Sequence, residues 1–562
     1  MSSCSAVTRF MRSVRVLGAL ALGACQTTAA TPPVERVAEV AGPLARASTG
    51  ASTAATVPPR VVVAVIIDQL GSDTLLAHAD LLDPNGAIRR AIDSGVYFER
   101  STYSYANTLT APGHVAVHTG VAPMLSGIDG NSAWDTASAR AIPVTEDPGW
   151  PVFGRAPGSV GAGPGRLRAP TVAHALRAAT NGAAKIISLS VKERSAILSV
   201  GTAADLVLWY DSTQGAFTSS AVWGPALPAW LGRHQAEHPI AKLIAPWEAE
   251  KPELYAARLG PDGAPGEGDM PGFGITFPHR IERMKEPLAA LQYTPAMTEY
   301  LVALTEVAAR ENHVGEDATA DLVAISISGT DAVGHVFGPG SWEYMDHLIK
   351  ADRALGAWLG RLEQRGPMAV LITSDHGSAP LVETRGAGAG RASPRRMRQA
   401  VEAALAKQWG PGPWVAGVQG PFVYLVEPTR RHPDRALMLQ VARSALLGDP
   451  AVQSAWPLEQ VRSFGDADPL ERALRVTVAS DNEADLMFLT RPYFPFELGD
   501  LAGGTNHGTP YDYDRQVPVL AWGTRVPRSR TTTPVDQMRV AATLTHLLGV
   551  PAPGSAPREP LF

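Results

Sequence analysis

Cysteine is almost missing from this 562-residue sequence: there are two, Cys4 and Cys25, both within the first 25 positions. No internal disulfide and no thiolate metal site can therefore hold the rest of the chain together. Long apolar runs are also missing, and no segment after residue 25 is apolar for long enough to cross a membrane as a helix. Basic excess is absent too. The net formal charge is −5; the first 24 residues carry only Arg9, Arg12 and Arg15, so the chain from Cys25 onward stands at −8. That balance argues against a nucleic-acid partner. What is present is an ordinary globular composition, 45% hydrophobic and 18% charged, with 47 prolines and 53 glycines that imply many turns and long surface connections.

The three arginines precede a short apolar stretch, residues 16 to 24, which reads as an export signal. Its end, Leu22-Gly23-Ala24-Cys25, resembles the bacterial lipobox, so Cys25 is expected to carry lipid after cleavage. Gln26 in place of aspartate favours the outer membrane. Residues 1–24 are thus expected to be a lipoprotein signal peptide. Residues 25–59, rich in Ala, Thr, Pro, Ser and Gly, are expected to be a flexible tether. Membrane contact would be through that anchor alone, and the location the periplasm or cell envelope.

From residue 60 the pattern changes. Three β-branched runs, VVVAVII (61–67), DLVAISIS (321–328) and MAVLITS (368–374), are continuously apolar, as in strands of a parallel sheet covered on both faces. Residues 341–364 repeat apolar side chains at helical spacing: Tyr344, Leu348, Ala351, Leu355, Trp358 and Leu362. The expected fold is α/β, a central mostly parallel sheet flanked by helices. One catalytic domain would span 60–556, with cap insertions at about 150–300 and 380–500. The arginine-rich stretch 384–398 reads as a solvated basic loop.

Each apolar run ends in a carboxylate: Asp68, Asp331 after a Gly-Thr turn, and Asp375. Ligand sites in open α/β sheets lie outside the carboxyl ends of the strands, so the three aspartates should converge on one crevice. Asp331-x3-His335 sets an imidazole one helical turn from a carboxylate, Asp375-His376 adds an adjacent pair, and His507 sits in a glycine-bounded polar turn. Three Asp and three His without thiolate suit zinc in an open catalytic site, since clustered carboxylates repel unless a cation neutralises them. Thr110, two before Pro112, would stand at or next to a helix N-cap, where free N–H groups attract phosphate. Its hydroxyl is a candidate nucleophile. The bland reading is a simple cap, and His114 and His118 on the same segment read as supporting or structural histidines.

Thr110-Ala111-Pro112-Gly113-His114, with Asp68, Asp331-x3-His335, Asp375-His376-Gly377 and Asn506-His507-Gly508 in this order, resembles the alkaline phosphatase superfamily. The closer likeness is to its threonine-nucleophile branch, which includes phosphate-irrepressible periplasmic phosphatases and Sphingomonas-type alkaline phosphatases. The resemblance implies two Zn2+ ions, one held by Asp68, Asp375, His376 and Thr110, the other by Asp331, His335 and His507. It also implies a phosphothreonine intermediate, with Asn131 as the phosphate-binding asparagine. Lys192-Glu193-Arg194 matches the Lys-x-Arg pair of the monoesterases, and two cationic donors favour a dianionic monoester over a diester. Small-molecule phosphate monoesters are therefore the expected substrates. The alternatives are a nucleotide pyrophosphatase or phosphodiesterase of the same superfamily and, in another class, a non-catalytic metal-containing surface lipoprotein. Sulfatases of the superfamily need Cys or Ser where this chain has Thr110. Asp512 and Asp514 are conceivable ligands of an additional calcium ion.

Overall fold

The three apolar runs form the strands Val61–Ile67, Asp321–Ile327 and Met368–Thr373, and every residue in them is buried. The first lies between the other two and parallel to both. Alternate side chains of one strand must then enter different layers. Val61, Val63, Val65 and Ile67 do so on one face of the sheet, packing with Leu348, Leu355 and Trp358, while Val62, Ala64 and Ile66 pack on the other with Ile197, Val540 and Leu544. Both faces are covered, which is why these strands read as unbroken hydrophobic runs.

The computed structural model describes residues 57–562 except 500, 555 and 558. The expected signal peptide and all but the last three residues of the expected tether lie outside the described residues. The ten-stranded main sheet extends its parallel centre with Ile186–Ser190 and Leu206–Asp211. On the opposite side Gln516–Gly523 joins it antiparallel, and Val96–Thr102 pairs antiparallel with that strand in turn, so that it runs in the direction of the centre again. The helix expected over 341–364 is Trp342–Glu363, begun by Ser341, whose hydroxyl accepts the Tyr344 N–H at 3.1 Å. Among the described residues no helix is long and apolar enough to cross a membrane.

The segment 150–300 is not a cap throughout. Ile186–Ser190, Leu206–Asp211 and Ala216–Thr218 belong to the main sheet, because runs such as LVLWYD are buried along their whole length. Segment 380–500 carries its own antiparallel sheet, in the order Val415–Gln419, Phe422–Leu425, Leu486–Thr490, Val452–Pro457. Helices Pro394–Trp409 and Arg435–Leu447 pack on it around Met397, Leu405, Met438 and Phe488. The stretch 384–398 is likewise not merely a solvated loop. Arg391 pairs with Glu383 and donates to the Gly504 carbonyl, Arg396 pairs with Asp449, and Arg385 lies over the Tyr493 ring. The chain beyond 556 returns to the same body, where Leu561 N–H donates to Thr543 Oγ1.

Candidate metal centre and nucleophile

The main sheet delivers the three aspartates to one edge. Asp68 and Asp375 follow adjacent strands, and Asp331 stands on the helix Gly329–Phe337 that follows the third. That helix places His335 one turn on, with Nε2 at 3.2 Å from Asp331 Oδ1. Ligand atoms of Asp68, Asp375 and His376 lie within 4.8 Å of one another, and so do those of Asp331, His376 and His507. His376 therefore belongs to both groups, whereas the resemblance puts it in the first alone, and His335 joins through Asp331.

The imidazoles share one arrangement. The Nδ1 of His335, His376 and His507 lies 3.0, 2.9 and 2.7 Å from the carbonyl oxygens of Thr505, Gly377 and Thr108. With Nδ1 as the donor, each ring keeps a lone pair on Nε2, turned toward the carboxylates: His376 Nε2 is 3.4 Å from both Asp68 Oδ1 and Asp375 Oδ2, and His507 Nε2 is 3.4 Å from Asp331 Oδ1. An imidazole held by its other nitrogen in this way is typical of metal ligation. Asp68 Oδ1, Asp375 Oδ2 and His376 Nε2 are buried with no hydrogen-bond partner. A protein rarely leaves such atoms unmatched unless something else occupies the site.

Lys192 is the cation within reach. Its Nζ donates to Asp68 Oδ2 at 2.6 Å and also to Asp331 Oδ2, one carboxylate from each group. Burial lowers the lysine's affinity for its proton, but Asp331 and Asp68 outweigh this and hold it above its usual range. Burial, with Asp331 and Asp375 adding to it, pushes the Asp68 carboxyl well above the ordinary carboxylate range. Against the same burial, His335 and Lys192 hold Asp331 well below that range, and His376 and His114 hold Asp375 below it. Burial pushes His376 down to about 3 and lowers His507. At neutral pH these two rings are thus uncharged, the form that binds metal.

Thr110 is the first residue of the helix Thr110–Thr119 and is buried, with Leu109 at the N-cap position. The helix start is fixed on two sides. Thr108, two residues earlier, holds His507 through its carbonyl. His114, one turn on, has Nδ1 2.8 Å from the Thr110 carbonyl oxygen and 3.2 Å from Asp375 Oδ2, with Nε2 2.8 Å from Ser326 Oγ. His114 thus supports the site from behind, as expected. His118, with Nδ1 on the His114 carbonyl, is pushed down to about 4 by burial and lies further along the same helix. The Thr110 hydroxyl makes no hydrogen bond among the described residues.

Asn131 is brought to this helix start, where its Oδ1 accepts the Ala111 N–H at 2.9 Å. That bond assigns the amide orientation and leaves Nδ2 as the free donor. Lys192 is the N-cap residue of Glu193–Val200, and Arg194 lies close enough to repel its charge. Glu193 between them turns elsewhere, accepting from Thr145 Oγ1 at 2.5 Å. Arg194 Nε is buried without a partner. Asp68, Asp331, His335, Asp375, His376, His507 and Lys192 are therefore linked by direct contacts, Thr110 joins them through His114, Asn131 through the Ala111 N–H, and Arg194 adjoins through Lys192. Asp512 and Asp514 do not converge. Asp512 faces Arg515 at 3.6 Å, while Asp514 accepts from the Thr509 N–H and hydroxyl at 2.9 and 2.5 Å.

Sequence reasoning missed Gln69. It takes a positive φ of 67°, which lets its N–H donate to Asp375 Oδ1 at 3.2 Å and its Nε2 to Asp331 Oδ1 at 2.9 Å, joining the two ligand groups. The one available signal was Gly334 inside Asp331-x3-His335: a Cβ there would sit 1.6 Å from Gln69 Oε1.

Residues 62–390 match the family described as Type I phosphodiesterase / nucleotide pyrophosphatase. Alkaline phosphatase PafA of Elizabethkingia meningoseptica is 25% identical over 532 residues, covering 91% of this chain and 96% of that protein. Alkaline phosphatase PhoK of a Sphingomonas species is 27% identical over 538 residues, with 90% of each chain covered. The crystal structure of wild-type PafA superposes with a TM-score of 0.83 at 24% identity, over 90% of this chain and 98% of that one, and shows the same fold.

Proposed function

We propose that this chain, which belongs to the Type I phosphodiesterase / nucleotide pyrophosphatase family, is a metal-dependent alkaline phosphatase that cleaves phosphate monoesters through a phosphothreonine at Thr110. The observation that carries the reading is the pair of ligand groups meeting at Lys192, beside the helix start that bears Thr110 and Asn131. Similarity over most of the chain to two proteins named alkaline phosphatases supports it. The donor set fits two zinc ions: neutral imidazoles with free Nε2, orphaned carboxylate oxygens and no thiolate. Asp68, Asp375, His376 and Thr110 would hold one, and Asp331, His335 and His507 the other. When bound, such ions supply Lewis acidity and neutralise charge on both sides of the phosphorus.

The chain's own groups account for the rest. Thr110 Oγ1 loses its proton to solvent and attacks phosphorus, the bond from phosphorus to the alcohol oxygen breaks, and the leaving alkoxide takes up a proton from solvent and departs as the alcohol. Water then attacks the phosphothreonine, returning the hydroxyl of Thr110 and releasing inorganic phosphate. Asn131 Nδ2 binds a nonbridging oxygen, and of the first helical turn only the Thr110 N–H is left to join it, since the Ala111 N–H donates to Asn131 Oδ1, Pro112 has none and the Gly113 N–H donates to the Leu109 carbonyl. Lys192 and Arg194 stabilise the second negative charge that distinguishes a monoester from a diester. His114 holds Asp375 and the helix start in one position.

The second reading, a diesterase, is favoured by the description of the family itself. Rates on 4-nitrophenyl phosphate and bis(4-nitrophenyl) phosphate separate the two. The monoester should be strongly preferred, and Lys192→Ala with Arg194→Ala should erode that preference. Diester preference that survives in both variants would overturn the assignment, and turnover that survives Thr110→Ala would overturn the nucleophile. We also propose that Cys25 anchors the enzyme by lipid at the outer membrane, facing the periplasm. Incorporation of labelled fatty acid that persists in Cys25→Ala would refute this.

A further inference from the structure

The four-stranded sheet within 380–500 supplies none of the metal-ligand candidates, yet its surroundings grip the chain on both sides of Asn131. Asp129, two residues before the asparagine, is buried, and its Oδ2 accepts the Ala479 N–H at 3.1 Å and Asn482 Nδ2 at 2.7 Å. On the other side the Ser132 carbonyl accepts Gln419 Nε2 at 2.7 Å. Two residues further on, Trp134 stacks on Tyr424 with ring centres 4.9 Å apart, and it lies so close to Gly417 that a Cβ there would meet the indole at 2.3 Å. Gly417, Gln419 and Tyr424 all stand on the strands Val415–Gln419 and Phe422–Leu425.

The turn that receives Asp129 is itself fixed. Arg462 Nη2 reaches the carbonyls of Ala479, Ser480 and Asn482 at 3.3, 3.4 and 2.6 Å. Asn482 Oδ1 accepts the Ala484 N–H at 2.9 Å, which turns its Nδ2 toward Asp129. The grip extends to the approach to Thr110. The Asp129 carbonyl accepts Asn107 Nδ2, and the Ala106 N–H donates to Thr477 Oγ1 at the end of the helix Pro469–Thr477, both at 2.7 Å. Ala106 packs among Phe422, Leu474 and Met487. The loop of Asn131 and the segment leading to the nucleophile are thus docked on one surface. Asn131 Oδ1 is spent on the Ala111 N–H, so the place of Nδ2 follows from how this backbone is held. A donor that meets developing charge works only if it is already in position.

We propose that Asp129 is a positioning residue for phosphate binding, and that through it the turn 479–482 of the accessory unit sets where Asn131 meets the phosphoryl group. The inference rests on the reading of Asn131 as the phosphate donor and is independent of which metal the centre holds. It gives the segment 380–500 a task in the reaction that requires none of its side chains to touch the substrate.

The test compares the full-length zinc-loaded protein with Asp129→Ala, Asp129→Asn and Asn482→Ala, reading kcat/KM on 4-nitrophenyl phosphate, inhibition by inorganic phosphate, zinc content and circular dichroism. Asp129→Ala should lower kcat/KM roughly 10- to 100-fold and weaken phosphate inhibition, with zinc content and the native spectrum kept. Asn482→Ala should act in the same direction by less, since the Ala479 N–H still holds Asp129. Asp129→Asn should recover most of the loss, because an amide oxygen can accept both bonds. A general weakening of the fold would add to any other lesion. Made on top of Asn131→Ala, however, Asp129→Ala should cost only about twofold or less. An undiminished loss in that background, wild-type rates and phosphate inhibition in Asp129→Ala, or unfolding of both alanine variants would overturn the proposal. If Asn131→Ala alone keeps wild-type phosphate inhibition, the assignment of Asn131 fails and the inference falls with it.

Discussion

Adding one methyl group at Gly377 should disable the centre without touching a ligand. Gly377 lies outside the left-handed region, so alanine meets no backbone strain there, and on chain entropy alone the change would stabilise by roughly 0.4 to 1 kcal/mol. The contacts reverse that sign. A Cβ would lie 2.1 Å from the Tyr513 carbonyl oxygen, about 1.3 Å short of the 3.4 Å at which ordinary contact begins. Neither side yields freely. Gly377 N–H donates to Asp514 O at 2.8 Å, its carbonyl receives His376 Nδ1, and Asp514 grips Thr509, two residues beyond His507. The displacement must pass into His376 or into the loop of His507. Overpacking costs roughly 1 to 3 kcal/mol of stability. A shift of about 1 Å in a catalytic group costs on the order of 100-fold in rate. Gly377→Ala should therefore lower kcat/KM on an aryl phosphate about 100-fold and weaken zinc retention during dialysis, while circular dichroism stays native. A variant with wild-type kcat/KM and zinc content would show that this contact does not govern the ligand positions.

Asn131→Ala should reduce kcat/KM by the equivalent of about 2 to 4 kcal/mol, the loss typical of a preorganised anion donor, with zinc content unchanged. A drop below threefold would leave Asn131 only its bond to the Ala111 N–H. Chelation should abolish activity and zinc should restore it; restoration by magnesium alone would sink the zinc assignment. Asp352 is buried, accepts the Ile88 N–H at 2.6 Å, and is pushed up to about 7 by burial first and Asp83 after. Its native state holds a proton that the unfolded chain releases near pH 4, so stability should fall as pH rises from about 4 to 7. In Asp352→Asn that share of the slope should vanish from melting curves, and an unchanged slope would refute the burial argument.

The fold was legible where one strand had one environment. Val61–Ile67 and its two neighbours are covered on both faces, so burial wrote itself into the sequence as unbroken apolar runs. Gln516–Gly523 was not legible, because Pro518 interrupts it. The structure absorbs that proline at a register shift between Val517 and Val519, where its carbonyl accepts from Thr373 Oγ1 at 2.8 Å. The four-stranded sheet escaped notice because Phe422–Leu425 finds a partner in Leu486–Thr490, some sixty residues on, a pairing that no local period encodes. In the site, aspartates and histidines stood out as metal-ligand types at strand ends. Gln69 did not, since its work depends on a backbone angle.

The proposed preference for monoesters rests on charge as well as contacts. With metal bound, Asp68, Asp331 and Asp375 would bring three negative charges, and a histidine ligates a metal through its uncharged imidazole. Two divalent ions with Lys192 and Arg194 would bring six positive charges, leaving a surplus of three. A monoester dianion with the Thr110 alkoxide supplies three negative charges and cancels it, whereas a diester with the same alkoxide supplies two. In a buried pocket of low dielectric an uncancelled unit charge is expensive. Removing either Lys192 or Arg194 lowers the surplus to two, which is the balance for a diester. The single variants should therefore lose monoester activity while losing less diester activity, and equal losses on both substrates would show that these two cations serve the fold and not the choice of substrate.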